Sequence, residues 1–219
     1  RCASFILDKL SSNDGGLFHN FKNGKSTING YLEDYAFFIQ SLIRLYQCTF
    51  EVKWIDEAYR LTGYAITHFS VPDSPLFYFT SDLDPPLITR KTELQDNVIP
   101  ASVSQMAINL FMLGYYFENN SWVERSRQML SAVESEVVSY GSAYSNWLIH
   151  LLNLTEPLRE MVICGKDATE LRLKLVRQTM TSGVLIGGCM QKENLPMTNN
   201  RLIKDQTLIY VCVDHTCAM

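Results

Sequence analysis

Between Leu32 and Tyr46 the apolar residues Leu32, Tyr35, Ala36, Ile39, Leu42, Ile43 and Tyr46 recur every three or four positions, which predicts one buried face of a helix. After a break at residues 49–53 the spacing resumes at Ile55, Ala58, Tyr59, Thr62, Ile66 and Phe69 and stops before Pro72. A second helix should therefore fold back on the first as an antiparallel hairpin. Another pair is expected after Pro100. Its first helix carries Met106, Leu110, Leu113 and Phe117; its second is capped by the Ser121 hydroxyl, with Glu124 reaching back, and runs through Met129, Leu130, Val133 and Val137.

The two pairs superpose at a constant offset of 68 positions, which sets Leu42 on Leu110, Leu45 on Leu113, Trp54 on Trp122 and Leu61 on Met129. This is an internal repeat, and each copy follows an aromatic, turn-rich insert, residues 15–19 before the first and 75–80 before the second. Ankyrin or tetratricopeptide units are about half this length, so the spacing fits hairpins stacked side by side in a partial α/α toroid. A fifth helix over residues 144–154 would open the next unit, and a helix ending near Leu10 would close the preceding one.

Past Pro157 short apolar runs at residues 161–164, 184–186 and 208–213 read as strands around a helix from Thr169 to Thr179. The expected class is mainly α: a partial toroid over residues 1–156, then a small α/β module over residues 157–219.

Charge and cysteine content narrow the role. With 19 basic and 23 acidic side chains and no basic run, the chain lacks the footprint of a nucleic-acid binder. Hydrophobic residues at 47% and charged residues at 19% supply a core and exclude disorder. The longest uncharged apolar stretch, residues 143–154, is interrupted by Ser145, Asn146, His150 and Asn153 and is too short to cross a bilayer. Six cysteines do not make a dense disulfide framework, so reduced thiols and a cytoplasmic location are expected. The chain opens at Arg1 on what reads as the end of a helix, as a piece of a longer protein would.

Candidate chemistry clusters where the inner helices of the repeat begin. Glu33, Asp34 and Tyr35 fall in a first turn, where carboxylates either serve as general acid and base or simply complement the helix dipole. Arg90, Glu93 and Asp96 occupy the corresponding end of the second unit, in a segment that is either a site or a solvated loop. His19 and Phe18 follow the first insert, as a hydrogen-bonding imidazole and a ring able to stack on a sugar, or as structural groups. Cys212, Asp214, His215 and Cys217 have zinc-ligand chemistry without a zinc-knuckle spacing, with Cys164 and Cys189 in the same module. No phosphate-binding glycine loop and no nucleophile elbow occur, and no cofactor is expected.

Together Gly15-Gly16-Leu17-Phe18-His19, Gly30-Tyr31-Leu32-Glu33-Asp34-Tyr35-Ala36, Arg90-Lys91 leading to Asp96 and Pro100, and Tyr210-Val211-Cys212 with Cys217 resemble the C-terminal part of the thioredoxin-domain-containing, spermatogenesis-associated protein family. The resemblance implies an α/α toroid similar to sugar epimerases and six-hairpin glycosidases, behind a thioredoxin-like domain that this chain lacks. It also implies a cavity lined by His19, Glu33, Asp34, Arg90, Glu93 and Asp96. Ala101 and Val103 stand where the family pattern has hydrogen-bonding side chains.

The expected function is binding or acid–base processing of a carbohydrate-like molecule. Asp34, Asp96 and Glu33 are its catalytic candidates, and His19, Tyr35, Arg90, Glu93 and Phe18 would contact substrate. The alternative is a non-catalytic scaffold for the thioredoxin-like domain. Half a toroid would also expose apolar helix faces and self-associate.

Overall fold

The computed structural model describes residues 1–85, 88–178, 184–213 and 216–218. Helix α1 (Cys2–Lys9) leads into a small hairpin, β1 (Phe21–Lys22) and β2 (Lys25–Ser26). The first long pair follows as α2 (Leu32–Thr49) and α3 (Val52–Phe69), the second as α4 (Ser102–Tyr116) and α5 (Asn120–Ser131), with α6 (Glu134–Ser139) and α7 (Ser145–Thr155) after it. The second helices of the two pairs start at Val52 and Asn120, 68 positions apart, and the first helices at Leu32 and Ser102, 70 apart, so the repeat read from the sequence is kept within two residues. Helices α2, α4 and α7 pack in a row, with α3 against α2 and α5 against α4. Leu42 and Leu110 are fully buried, as are Leu61 and Met129. Helix α4 is the middle of the row, and all but Met112 and Tyr115 of its residues are buried.

Two expectations about the fourth helix are corrected. Its cap is Asn119, whose side-chain oxygen accepts the Trp122 N–H and the Ser121 hydroxyl, the latter at 2.7 Å. Ser121 therefore sits inside the helix and supports the cap. The helix also fails to run to Val137: at Val133 the N–H bonds back three residues to the Leu130 carbonyl, the turn tightens, and the chain restarts as α6. Val133 and Val137 both stay buried across that break, which is why their spacing read as one helix.

Strands β3 (Arg159–Cys164), β4 (Val184–Cys189), β5 (Leu208–Val213) and β6 (Thr216–Ala218) form one sheet in the order β4-β3-β5-β6, with α8 (Ala168–Gln178) between β3 and β4. Strands β3 and β4 are parallel and the other pairings antiparallel. Alternation divides the strands between two cores. Val162, Cys164, Leu185, Tyr210 and Cys212 join the helical core, while Ile163, with Met161, Ile186 and Ile209, packs with Ala168 and Leu171. The hydrophobic core thus runs without interruption from α2 and α4 into the sheet.

Cys2, Cys48, Cys164 and Cys189 are free thiols. Cys212, expected to be reduced, is disulfide-bonded, and its partner in strand register is Cys217. That bond removes a thiolate the zinc reading required, and Asp214 and His215 lie outside the described residues, as does Thr179. Among the described residues no group of three potential ligands for a metal ion occurs, and no helix is long and apolar enough to cross a membrane.

Candidate functional site

The start of α2 is fixed by the insert that precedes it. The Gly30 N–H donates to the Leu17 carbonyl at 2.7 Å, and a Cβ at Gly30 would sit 2.8 Å from that oxygen, so only glycine lets the two segments approach. Tyr31 stacks on Phe79 with ring centroids 5.1 Å apart, and the Leu32 N–H donates to the Phe79 carbonyl at 2.9 Å. The insert of the second unit therefore holds the helix entry of the first.

On this frame Asp34 does two things. One carboxylate oxygen accepts the Tyr31 N–H at 2.8 Å, closing the first turn of α2, and the same oxygen lies 2.9 Å from Nδ1 of His19. His19 is held on its other side by Tyr31, ring to ring at 5.1 Å. An imidazole oriented through Nδ1 presents Nε2 for hydrogen bonding or proton transfer. Beside this pair, the Glu33 carboxyl is pushed above the usual carboxylate range by partial burial and by the negative charges of Asp34 and Glu93, against a smaller opposing effect of His19. His19, Glu33, Asp34 and Glu93 thus form one electrostatically coupled group.

Glu93 links that group to an open cleft of about 710 Å³ lined by Glu93, Gln95, Asp96, Asn97, Glu136 and Tyr144, among other residues. None of its lining residues is basic. Glu93 also accepts the Ser102 hydroxyl at 3.0 Å. Asp96 is bound on both oxygens: one takes the Ala101 N–H at 2.8 Å and the other the Asn146 N–H at 2.8 Å. It clamps the entries of α4 and α7 together. Ala101 and Val103 are buried, and the hydrogen bonding at that entry falls to Ser102 and Ser104.

The remaining candidates lie elsewhere. Arg90 reaches the Thr80 and His68 carbonyls and covers the Tyr78 ring at 4.2 Å, staples of the loop. Tyr35 is buried; its hydroxyl accepts the Leu17 N–H at 2.7 Å, and burial pushes the phenol up to about 12, so it stays neutral. Phe18 and Tyr35 line a separate cavity of about 200 Å³ with Asp14 and Tyr64. A second imidazole–carboxylate pair, His68 Nδ1 and Asp82 at 2.8 Å, was not expected from the sequence, because Asp82 lies in a loop with no periodic signal. Gln95 and Asn97 belong to the polar segment that the sequence offers as a candidate site, whereas Glu136 and Tyr144 carry no such signal. Glu136 and Tyr144 come from the α6–α7 segment, and only the packed chain brings them to residues 93–97.

No family model matches the chain. In alignments of 201 positions that cover 87% of this chain, it is 26% identical to Spermatogenesis-associated protein 20 of Homo sapiens and 25% identical to that of Mus musculus. It spans about a quarter of the length of these curated relatives, 26% and 25% respectively. Along most of its own length the chain is thus similar to spermatogenesis-associated protein 20, in agreement with the family resemblance carried by its helix-entry motifs.

Proposed function

We propose that the rim at the start of α2 binds and processes a carbohydrate-like small molecule. In this reading the Asp34-oriented imidazole of His19 and the carboxyl of Glu33 share proton transfer. The observation that carries it is the contrast between adjacent carboxyls: Asp34 is held in contact with His19 and the Tyr31 N–H, whereas Glu33, partly buried beside the charges of Asp34 and Glu93, is pushed toward its protonated form. Two neighbouring carboxyls in opposite environments are the usual arrangement for acid–base work at neutral pH. Glu93, Gln95, Asn97 and Glu136 offer acceptors and donors suited to hydroxyl groups. The acidic lining favours a neutral sugar over a sugar phosphate. Asp96 acts here as a positioning residue.

The test is a thermal-shift screen of neutral sugars and sugar phosphates, repeated with Asp34→Asn. Asparagine keeps an oxygen for the Tyr31 N–H but loses the charge that orients His19. Stabilisation by a neutral sugar, abolished by Asp34→Asn with the unliganded melting temperature unchanged, supports the reading. Stabilisation by nothing in the panel, or stabilisation that survives both Asp34→Asn and Glu33→Gln, overturns it.

A second reading, a scaffold that docks a thioredoxin-like domain, is favoured by the outward face of α7. There Ile149 and Leu152 are 54% and 62% exposed beside a cleft of about 530 Å³ that also includes Pro157 and Leu158. In that case Asp34→Asn leaves function intact and charged substitutions on α7 abolish domain association.

A further inference from the structure

Cys164 and Cys189 end the parallel strands β3 and β4 in direct register, and their Sγ atoms are 2.7 Å apart. Both are free and both are buried from bulk solvent. Cys189 nevertheless forms part of the wall of a cleft of about 280 Å³, with Lys192, Glu193, Thr198 and Asn199. We propose that this pair is a reversible redox site, in which a small hydroperoxide entering the cleft converts the two thiols into a Cys164–Cys189 disulfide. The inference is independent of the ligand site at α2.

The geometry supplies what such a site needs. Two sulfurs on adjacent strands, already closer than ordinary non-bonded contact, form a disulfide with little movement of the backbone. The pair also favours loss of one proton. The Cys189 S–H is donated to Cys164, which lowers the Cys164 thiol, while the same contact and burial push the Cys189 thiol up, so the second proton is retained. In the first step the Cys164 thiolate attacks one peroxide oxygen and the O–O bond breaks, leaving a sulfenic acid and hydroxide. In the second, the hydroxide takes the proton retained on Cys189, the Cys189 sulfur attacks the sulfenic sulfur, the S–S bond forms and the sulfenic oxygen leaves as hydroxide. Two electrons pass from the thiols to the peroxide, and the two thiol protons end in water. Reduction by an external dithiol reverses the change.

The exposed Cys2 and Cys48 give an internal comparison. The full chain is treated with hydrogen peroxide, quenched, digested without reduction and mapped by mass spectrometry, with and without later dithiothreitol. The expected result is a linked Cys164–Cys189 peptide lighter by two hydrogen atoms than its separate components, lost on reduction. In Cys189→Ser the resolving thiol is gone, and dimedone should label Cys164. The proposal is overturned if Cys2 and Cys48 oxidise while Cys164 and Cys189 remain reduced, or if either is recovered linked only to another cysteine. Should Cys189→Ser fail to fold, the wild-type map alone decides.

Discussion

The hydroxyl of Tyr46 donates to the Gly188 carbonyl at 3.0 Å and accepts the Gly188 N–H at 3.2 Å, so one side chain of α2 satisfies both backbone groups of a residue in β4. Strand β4 is an edge of the sheet, where such groups lack a neighbouring strand. Tyr116 of α4 serves one group of Ile186, two residues away on the strand, donating to its carbonyl at 2.6 Å while accepting the Gln47 side-chain amide at 2.9 Å. Two tyrosines from the row of helices stand in for a missing strand. Both phenols are pushed up by burial and remain neutral donors.

Tyr46→Phe should therefore cost about 1–3 kcal/mol, since it strands a buried N–H and C=O while keeping the ring. Chemical denaturation measures it, and an unchanged slope with a lower midpoint is the expected signature. A loss below a few tenths of a kcal/mol would mean that solvent reaches Gly188. The Tyr46→Phe and Tyr116→Phe losses should not add, because the Tyr46 and Tyr116 rings meet edge to face at 5.4 Å and bind backbone groups of the same strand.

The contact between residues 46 and 188 also marks where sequence reading stops. The hairpin repeat was legible because apolar period reports a helix's own buried face, and Leu42, Leu110, Leu61 and Met129 needed nothing else. Strand β5 was legible for the same reason, as a run of β-branched and aromatic residues. What joins the helices to the sheet depends on partners 142 and 70 residues apart, for which spacing carries no signal. The Asn119 cap, by contrast, is masked in the sequence because Ser121, two positions on, is an equally suitable capping residue. At the candidate site, the pairing of His19 with Asp34 was within reach only as proximity to one helix entry, and the structural engagement of Asp96 was hidden because its second partner is Asn146.

That engagement separates the two aspartates by experiment. Asp96→Ala removes hydrogen bonds to the Ala101 and Asn146 N–H groups at once, and should lower stability by about 2–3 kcal/mol. Asp34→Asn should change stability by less than about 1 kcal/mol, because Asn is as good a capping acceptor. Equal losses for both substitutions in a denaturation series would contradict the division of labour between them.

His150 provides a pH dependence. It is fully buried against the Ser126 hydroxyl, 2.7 Å from Nε2, and burial pushes its ring down from 6.5 to about 4. Below pH 6.5 the unfolded chain takes a proton that the folded chain refuses until about pH 4. This group's contribution therefore falls as pH drops through that window, by up to about 3 kcal/mol, and levels off below it. In His150→Gln the fall in melting temperature between pH 6.5 and 4 should be shallower than in the wild type. An unchanged profile would mean that other groups set the acid limb.

The outward face of α7 bears on association. Asn146, Trp147 and His150 turn toward α4 and α5, which leaves Leu148, Ile149, Leu151 and Leu152 at 38%, 54%, 38% and 62% exposure on one helix. Neighbouring Val138 and Tyr140 are 81% and 71% exposed. Contiguous apolar surface of this kind drives association in water. The isolated chain should self-associate, and Ile149→Lys with Leu152→Lys should shift it toward monomer without lowering its melting temperature, because neither side chain is buried. Light scattering across a concentration series is the measurement. A wild-type chain that stays monomeric throughout would show that this face is tolerated in solvent and would remove the main support for the docking reading.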